Sequence, residues 1–316
     1  MEVASSEIEV GLVTSGDCHE AARLEARPVD SLWVGGHLAS TNPSPEVMVG
    51  LTRLVAATER VKIGSAILIL PLYPPALIAK QVADLDRVSN GRLVLGIGVG
   101  GEYPQEFRAV GVPLGERGGR ANEILPLLRR FWSGEEVTHH GDHYSIEEVT
   151  ITPTPSQPGG PPLVVGGRKE PAMRRAAMLG DGWFPYLYSP RRYAASVATI
   201  KAQAAEIHRD LARFGWYVWV FLNIDDDGER AREQAARTIG GTYSQDFGPL
   251  IDRVAAAGNV PEVTEKLCEF FDAGARHFVF APVTGAESSA PTLDRLFSEV
   301  LPALQSHAAS PAGGAA

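Results

Sequence analysis

The stretch Val61–Val99, VKIGSAILIL PLYP PALIAKQVADLDRV SNG RLVLGIGV, decides how the rest of the chain is read. Val61–Leu70 is a continuous apolar run of strand type, as expected when both faces of a sheet are covered. Ile63–Ala79 holds 17 residues without a charge, close to the length of a membrane span. Pro71, Pro74 and Pro75 break that run. A strand followed by a helix start explains it better, because proline in the first helical turn forfeits no hydrogen bond. Pro75–Val88 then has helical spacing, and Arg92–Val99 is again an apolar strand.

The same alternation extends in both directions. Strand-like runs occur at Glu9–Thr14, Ser31–Gly35, Val61–Leu70, Arg92–Val99, Leu163–Gly166, Gly182–Tyr186, Tyr217–Ile224 and His277–Pro282. Helical patterns lie at Pro45–Thr58, Pro75–Val88, Arg120–Trp132, Glu170–Leu179, Pro190–Phe214, Asp227–Ile239, Pro261–Ala273 and Thr292–Gln305. Eight strands alternating with helices predict an α/β fold of the (β/α)8 TIM-barrel type, a closed parallel barrel rather than an open sheet. Insertions follow the fourth and seventh strands. The first, residues 134–162, is a hairpin turning at Gly141-Asp142 plus a proline-rich connector; the second, 240–259, is an extra helical stretch. Residues 1–305 read as one domain and 306–316 as a small, polar, disordered tail.

With 29 basic and 38 acidic residues the net charge is −9 (29 − 38), and only five of the basic residues are lysines. That balance lacks the basic footprint of a nucleic-acid binder. Cys18 and Cys268 are too few and too far apart for a disulfide framework, and read as buried free thiols of a reducing compartment. Met1–Val10 carries three glutamates and no basic residue, unlike a signal peptide. The expectation is a cytoplasmic protein that does not engage membranes or nucleic acid.

In a parallel barrel the active site forms at the C-terminal ends of the strands, which ranks the polar residues. His37 follows the second strand, flanked by glycines that admit something flat, and its side chain suits proton transfer near neutrality. A loop histidine without a role is the alternative. Gly96-Ile97-Gly98-Val99-Gly100-Gly101-Glu102-Tyr103 ends the fourth strand; its glycines clear room for a ring or phosphate. Glu102 is either an acid at the mouth or the start of the next helix. Val165-Gly166-Gly167-Arg168-Lys169 leads directly into a helix, offering backbone N–H groups and two cations to a phosphate; a plain αβ-loop is the alternative. Trp33, Trp183 and Tyr186 are candidates for the wall of a substrate pocket, with core packing an equal reading of Trp183. His139, His140 and His143 have no carboxylate or thiol in ligand register, so they read as solvated hairpin residues and no metal site is expected. Asp225-Asp226-Asp227 reads as a helix cap, and no G-x-S-x-G nucleophile motif occurs.

Several segments together resemble the bacterial luciferase-like oxidoreductases. They are Asp30-Ser31-Leu32-Trp33-Val34-x-x-His37, Val61–Ala66, Ala79–Arg92 with its Leu85-Asp86-Arg87-Val88-Ser89-Asn90-Gly91 core, Gly96–Gly101, Glu106-Phe107-x-x-x-Gly111-Val112-Pro113 and Gly180-Asp181-Gly182-Trp183. The resemblance covers about residues 28–190, with an echo at Ala273-Gly274-Ala275. It implies a (β/α)8 barrel that holds reduced FMN or the deazaflavin coenzyme F420 at its mouth. His37 falls on the family's active-site histidine. Gly166, Gly167 and Arg168, with Lys169 beside them, fall on its phosphate turn, and Gly98 and Gly100 belong to the glycine-rich loop near the ring. Ser65–Ala66 falls where members carry a non-prolyl cis peptide that props the ring. Members pair as dimers through the second and third helices. Three departures matter. Gly36 stands where many members have an acid, Gly101 where the sugar-phosphate dehydrogenases have a glutamate proton donor, and Gly100 where luciferase has an arginine. Neither of those specific activities is carried over.

Two chemistries follow from the resemblance. The first is a reduced-FMN-dependent monooxygenase acting on a small organic substrate, with a separate flavin reductase as a partner. The alternative is F420-dependent hydride transfer. The polyglutamate tail of F420 favours a basic surface near the mouth; the net charge leans the other way, although 24 arginines leave room for a local patch. A non-catalytic flavin-binding protein is the third reading.

Overall fold

A computed structural model describes residues 8–40, 43–285 and 288–310. The first half of the chain forms β1 (Glu9–Thr14), α1 (Cys18–Glu25), β2 (Ser31–Val34), α2 (Val47–Ala57), β3 (Lys62–Ser65), β4 (Leu68–Ile69), α3 (Pro75–Val88), β5 (Leu93–Gly98), α4 (Pro104–Ala109), α5 (Arg117–Trp132), β6 (Val137–His140), β7 (Ser145–Val149) and β8 (Leu163–Gly166). The second half forms α6 (Glu170–Leu179), β9 (Gly182–Phe184), α7 (Pro190–Glu206), β10 (Gly215–Ile224), α8 (Gly228–Tyr243), α9 (Ile251–Val254), β11 (Ala255–Gly258), α10 (Val260–Asp272), β12 (His277–Pro282), α11 (Ala290–Arg295) and α12 (Leu301–Ala308). The fold class is the (β/α)8 barrel that the alternation predicts. The chain falls into two compact units, Thr14–Gly166 with Leu179–Asp181, and the remainder.

In the unit that contains His37, β2, β3, β5 and β8 run parallel, with Val34 opposite Ser65, Gly64 opposite Val94 and Ile97 opposite Val165. β2, β5 and β8 are buried along their whole length, which is why they read as unbroken apolar runs. The predicted strand Val61–Leu70 is two strands. β3 stops at Ser65, a cis peptide joins Ala66 to Ile67, and β4 resumes pairing with β5. The cis bond thus lies one residue later than Ser65–Ala66. α3 buries Ile78, Ala79, Val82, Ala83 and Leu85, each large side chain contributing roughly 1.5–3 kcal/mol. Asp86 on the same helix is fully buried and accepts from the backbone N–H (2.9 Å) and the amide (2.7 Å) of Gln157, which fastens the proline-rich connector. The inserted hairpin is β6–β7. Glu123 of α5 clips it by accepting from His139 Nε2 (2.8 Å) and from the backbone N–H groups of His143 and Tyr144 (3.0 Å each). His139 and His143 therefore turn onto α5 instead of into solvent as expected, while His140 stays exposed.

In the other unit β10 is the hub. It pairs with β12 over Tyr217–Leu222, with β9 at Gly215 and Trp216, and with β11 over Phe221–Ile224, while β1 adds to β12. β11 lies in a stretch read as helical only. Its Ala-Ala-Ala-Gly carries no β-branched signal, and pairing to β10 decides its state. Asp227 caps α8 by accepting from the N–H groups of Glu229 and Arg230, as read from the sequence. The final helical pattern contains a π-helical turn at Leu296–Val300 between α11 and α12. Pro302 cannot donate to Ser298, and its ring would strike that carbonyl, so the backbone widens just before it. α12 continues to Ala308, inside the expected tail. Residues 311–316 of that tail, and residues 1–7 of the N-terminal reading, lie outside the described residues. Both cysteines are free, but Cys18 is exposed and Cys268 only partly buried. The expectation of buried thiols fails because α1 turns only Ala21 fully inward.

Candidate active site

His37 sits in the loop after β2. Gly35 and Gly36 shape that loop for a reason internal to the chain: a Cβ would lie 2.6 Å from the Ala66 carbonyl oxygen at Gly35 and 2.0 Å from that of Pro45 at Gly36. His37 Nδ1 lies 3.1 and 3.3 Å from the two carboxylate oxygens of Glu106, which is 0% exposed. Glu106 Oε1 also accepts from the backbone N–H groups of Leu38 (2.7 Å) and Ala39 (3.2 Å). Oε1 thus accepts from two backbone N–H groups, and with the carboxylate as acceptor toward the ring as well, Nδ1 carries the hydrogen it gives. Nε2 is then the nitrogen left for proton transfer. Tyr103 meets the imidazole edge-on at 4.8 Å and fixes its plane.

Glu106 carries no role in the sequence reading, although its Glu106-Phe107 motif was among the segments that resemble the family. Glu102, the acid chosen there, is exposed; the carboxylate that reaches His37 is one helical turn further on. A carboxylate–hydroxyl pair lies elsewhere in the same unit. Tyr73 donates to Glu46, whose other oxygen caps α2 by accepting from Val49 N–H (2.9 Å). Burial, the hydrogen bond to Glu46, and the charges of Glu46 and Glu106 push the Tyr73 phenol far above its usual range, so it remains a donor.

The glycine string of β5 faces the chain's own bulge. A Cβ at Gly96 would lie 2.0 Å from the Ser65 carbonyl oxygen, and one at Gly98 would lie 1.8 Å from Ile67 Cδ1. Gly166 approaches the same isoleucine, at 3.1 Å. Gly100, at φ +59°, lies against Ile69. These glycines therefore make room for the Ser65–Ile69 segment, where the sequence reading gave that room to a ring or phosphate. Ser65 is buried and donates to the Gly96 carbonyl (2.7 Å), which commits its hydroxyl to the fold.

The second unit holds the glycine–arginine turn. Gly167 has φ +132°, and a Cβ there would lie 2.6 Å from that of Ala172. Its carbonyl accepts from Trp183 Nε1 (3.0 Å), and the Arg168 carbonyl accepts from the Tyr188 hydroxyl (3.2 Å) and the Arg192 guanidinium (3.1 Å). The Arg168 guanidinium lies over the Tyr186 ring at 4.6 Å, and that of Arg192 over Tyr188 at 4.4 Å. Lys169, Arg191 and Arg192 are exposed. Among the described residues, none of Arg168, Lys169, Arg191 and Arg192 forms an ion pair.

Tyr186, the one partly exposed member of the three aromatic pocket candidates, stacks on Tyr243 at 6.2 Å. Trp33 and Trp183 are fully buried core side chains. Trp33 donates to Ser31 Oγ (2.8 Å) and covers Gly64, where a Cβ would lie 2.2 Å from the indole.

A (β/α)8 barrel with a carboxylate-held histidine after its second strand, and a glycine–arginine turn opening a helix, has the parts of a cofactor-dependent oxidoreductase. Residues 18–266 match the luciferase-like monooxygenase family, and the chain belongs to it. It is 34% identical over 193 residues to the FMNH2-dependent dimethylsulfone monooxygenase of Pseudomonas putida, covering 59% of this chain and 51% of that one. The chain spans about half the length of this and other curated relatives it matches. Over 304 residues it is 29% identical to the F420-dependent glucose-6-phosphate dehydrogenase of Beutenbergia cavernae, covering 87% and 89% of the two chains. An F420-dependent secondary alcohol dehydrogenase shares its fold, with a TM-score of 0.83 at 20% identity over 94% of this chain and 99% of that one. The family is one of oxidoreductases, and these relatives use reduced FMN or F420. No helix among the described residues is long and apolar enough to cross a membrane.

Proposed function

We propose that the protein is an F420-dependent oxidoreductase that moves a hydride between the coenzyme and a small organic substrate. The observation that carries this reading is the cluster of unpaired cations around the Gly167–Lys169 turn. The net charge of −9 favours FMN only if the arginines are dispersed, and Arg168, Lys169 and Arg192, which reaches the Arg168 carbonyl, with Arg191 next to it in the chain, supply the local patch that the total conceals. FMN ends in one phosphate, which the turn and Arg168 suffice to meet. A polyglutamate tail offers further carboxylates to Lys169, Arg191 and Arg192.

The turn fits a phosphorylated cofactor. Gly167 keeps the backbone uncovered; in the first turn of α6 Pro171 has no N–H and those of Ala172 and Met173 donate to the Lys169 carbonyl (2.9 and 3.2 Å), so the N–H groups of Arg168, Lys169 and Glu170 are the ones a phosphate would meet. The acid in that turn, Glu170, is held aside by Gln203 at 3.2 Å. F420, when bound, supplies hydride chemistry without activating oxygen. The chain's own residues do the rest. In one unit Gly167–Lys169 would hold the phosphate; in the other Ile67, packed at Gly98, would offer an apolar prop, and His37 would take or return a substrate proton at Nε2 while Glu106 holds Nδ1.

A reduced-FMN-dependent monooxygenase is the second reading, favoured by the 34% identity to the P. putida enzyme; it brings a separate flavin reductase as a partner. Titration of the apo-protein with F420 of graded tail length, and with oxidised and reduced FMN, decides between them. Affinity for F420 should rise with each added glutamate and fall with salt. The double variant Arg191→Ala, Arg192→Ala should lose the tail dependence while retaining the core affinity. Tighter binding of reduced FMN with oxygen uptake would overturn the proposal in favour of the second reading.

A cytoplasmic homodimer through α2 and α3 belongs to the same proposal. Val49 and Leu77 stand 47% and 50% exposed on those helices, an apolar surface of the kind a partner covers. Leu77→Glu should then halve the mass seen by light scattering, whereas a wild-type monomer would remove the dimer.

A further inference from the structure

His37 also lines a cavity of about 240 Å³ that none of the readings above uses. It lies within the His37 unit, between the loop after β2, the start of α2, the segment Ile69–Tyr73 and the first turns of α3. We propose that this cavity is the site of the organic substrate, and that it takes a small, uncharged, largely apolar molecule with one polar group for His37. The volume holds on the order of eight water-sized groups, at about 30 Å³ each. That is the size of a six-carbon ring with one substituent.

The chemistry of the wall sets the class of molecule. Met48, Leu72 and Leu77 are apolar contributors, and no lysine or arginine among the described residues lines the cavity. Its carboxylate, Glu46, has both oxygens engaged, one by the Tyr73 hydroxyl and one by Val49 N–H. An anion such as a phosphorylated sugar finds no counter-charge here and meets a carboxylate. A cation finds a single carboxylate that already accepts from Tyr73 and Val49, and it loses its hydration against an otherwise apolar wall. His37 contributes the polar contact, because Nδ1 is held by Glu106 and Nε2 has no partner among the described residues. A second copy of the chain is the competing occupant. An apolar protein face in the cavity would leave that nitrogen desolvated and unpaired, which favours a small molecule with a hydrogen-bonding group.

This inference rests on His37 as the residue that exchanges a proton with substrate, but its test needs no cofactor. The chain has four methionines, of which Met48 alone lines the cavity. In protein labelled with 13C at the methionine methyls, cyclohexanone should shift the Met48 resonance saturably and leave those of Met173 and Met178 in place. Cyclohexanecarboxylate and cyclohexylamine should shift it at least tenfold more weakly. Leu72→Trp should weaken the cyclohexanone response tenfold or more. Val110→Trp, at a rim position 40% exposed and outside α2 and α3, serves the same end should Leu72→Trp fail to fold. In the cofactor-loaded enzyme the folded filling variant should raise KM tenfold with the cofactor Kd unchanged. No Met48 response, an equal response to the charged probes, or a Met48 shift that follows protein dilution and not cyclohexanone would each overturn the assignment. A Met48 response in a protein that binds neither F420 nor FMN would sink the cofactor reading and leave the cavity standing.

Discussion

His37→Ala should lower turnover by about 10²-fold or more, the scale of a lost acid–base group, while leaving cofactor affinity unchanged. The two effects separate because the residues differ. In the proposed reading the phosphate belongs to Gly167–Lys169, and His37, held by Glu106 and Tyr103, serves the substrate proton. The imidazole is partly exposed, with 30% of its side-chain surface accessible, so its removal leaves only a small void. Glu106 loses one of its donors but keeps Leu38 and Ala39 N–H, and the loop should hold. Steady-state turnover measured beside a fluorescence titration of cofactor reads both quantities. Unchanged turnover would take His37 out of the mechanism, and a parallel loss of cofactor affinity would make it a binding residue instead.

The barrel was legible because parallel strands covered on both faces leave the plainest mark a strand can leave, an unbroken apolar run between proline-started helices. β8, β12 and α3 begin and end where that mark predicts. β11 was not legible, since three alanines favour no strand and only the edge of β10 makes them one. The site shows the same division. His37 announces itself by its place after β2. Glu106 lies 69 residues away on another loop's helix, and neither spacing nor composition couples the two. Glycines mislead in a more specific way. An absent side chain records that something approaches, without saying what. At Gly35, Gly36, Gly96 and Gly98 the nearest approach is by the protein's own Pro45, Ser65, Ala66 and Ile67. At Gly167 it is Ala172, a neighbour in the same turn, so the proposal for a phosphate there leans on the adjoining cations more than on the glycine.

Glu106 should prove nearly as costly to lose as His37, for two reasons that two variants separate. In Glu106→Ala the N–H groups of Leu38 and Ala39 lose a buried acceptor. Each stranded donor costs about 1–3 kcal/mol, so the variant should unfold at lower denaturant as well as lose activity. Glu106→Gln keeps a carbonyl oxygen for those N–H groups and keeps the volume, so it should fold close to wild type. Its amide nitrogen can only donate and stands 3.3 Å from Nδ1, itself the donor in the wild type, while Oε1, 3.1 Å from Nδ1, is shared with the two backbone N–H groups. The imidazole then answers with the opposite tautomer, carrying its hydrogen on Nε2 and presenting no lone pair there. Turnover should fall about 10²-fold or more, in the manner of the aspartate-to-asparagine change in a Ser-His-Asp triad, with KM and cofactor affinity little altered. 15N spectra of the histidine ring report the tautomer without any turnover. A Glu106→Gln protein with the wild-type tautomer and wild-type turnover would reduce Glu106 to a loop fastener. One with the reversed tautomer and a kcat loss would make it the residue through which the fold tells His37 which nitrogen to offer.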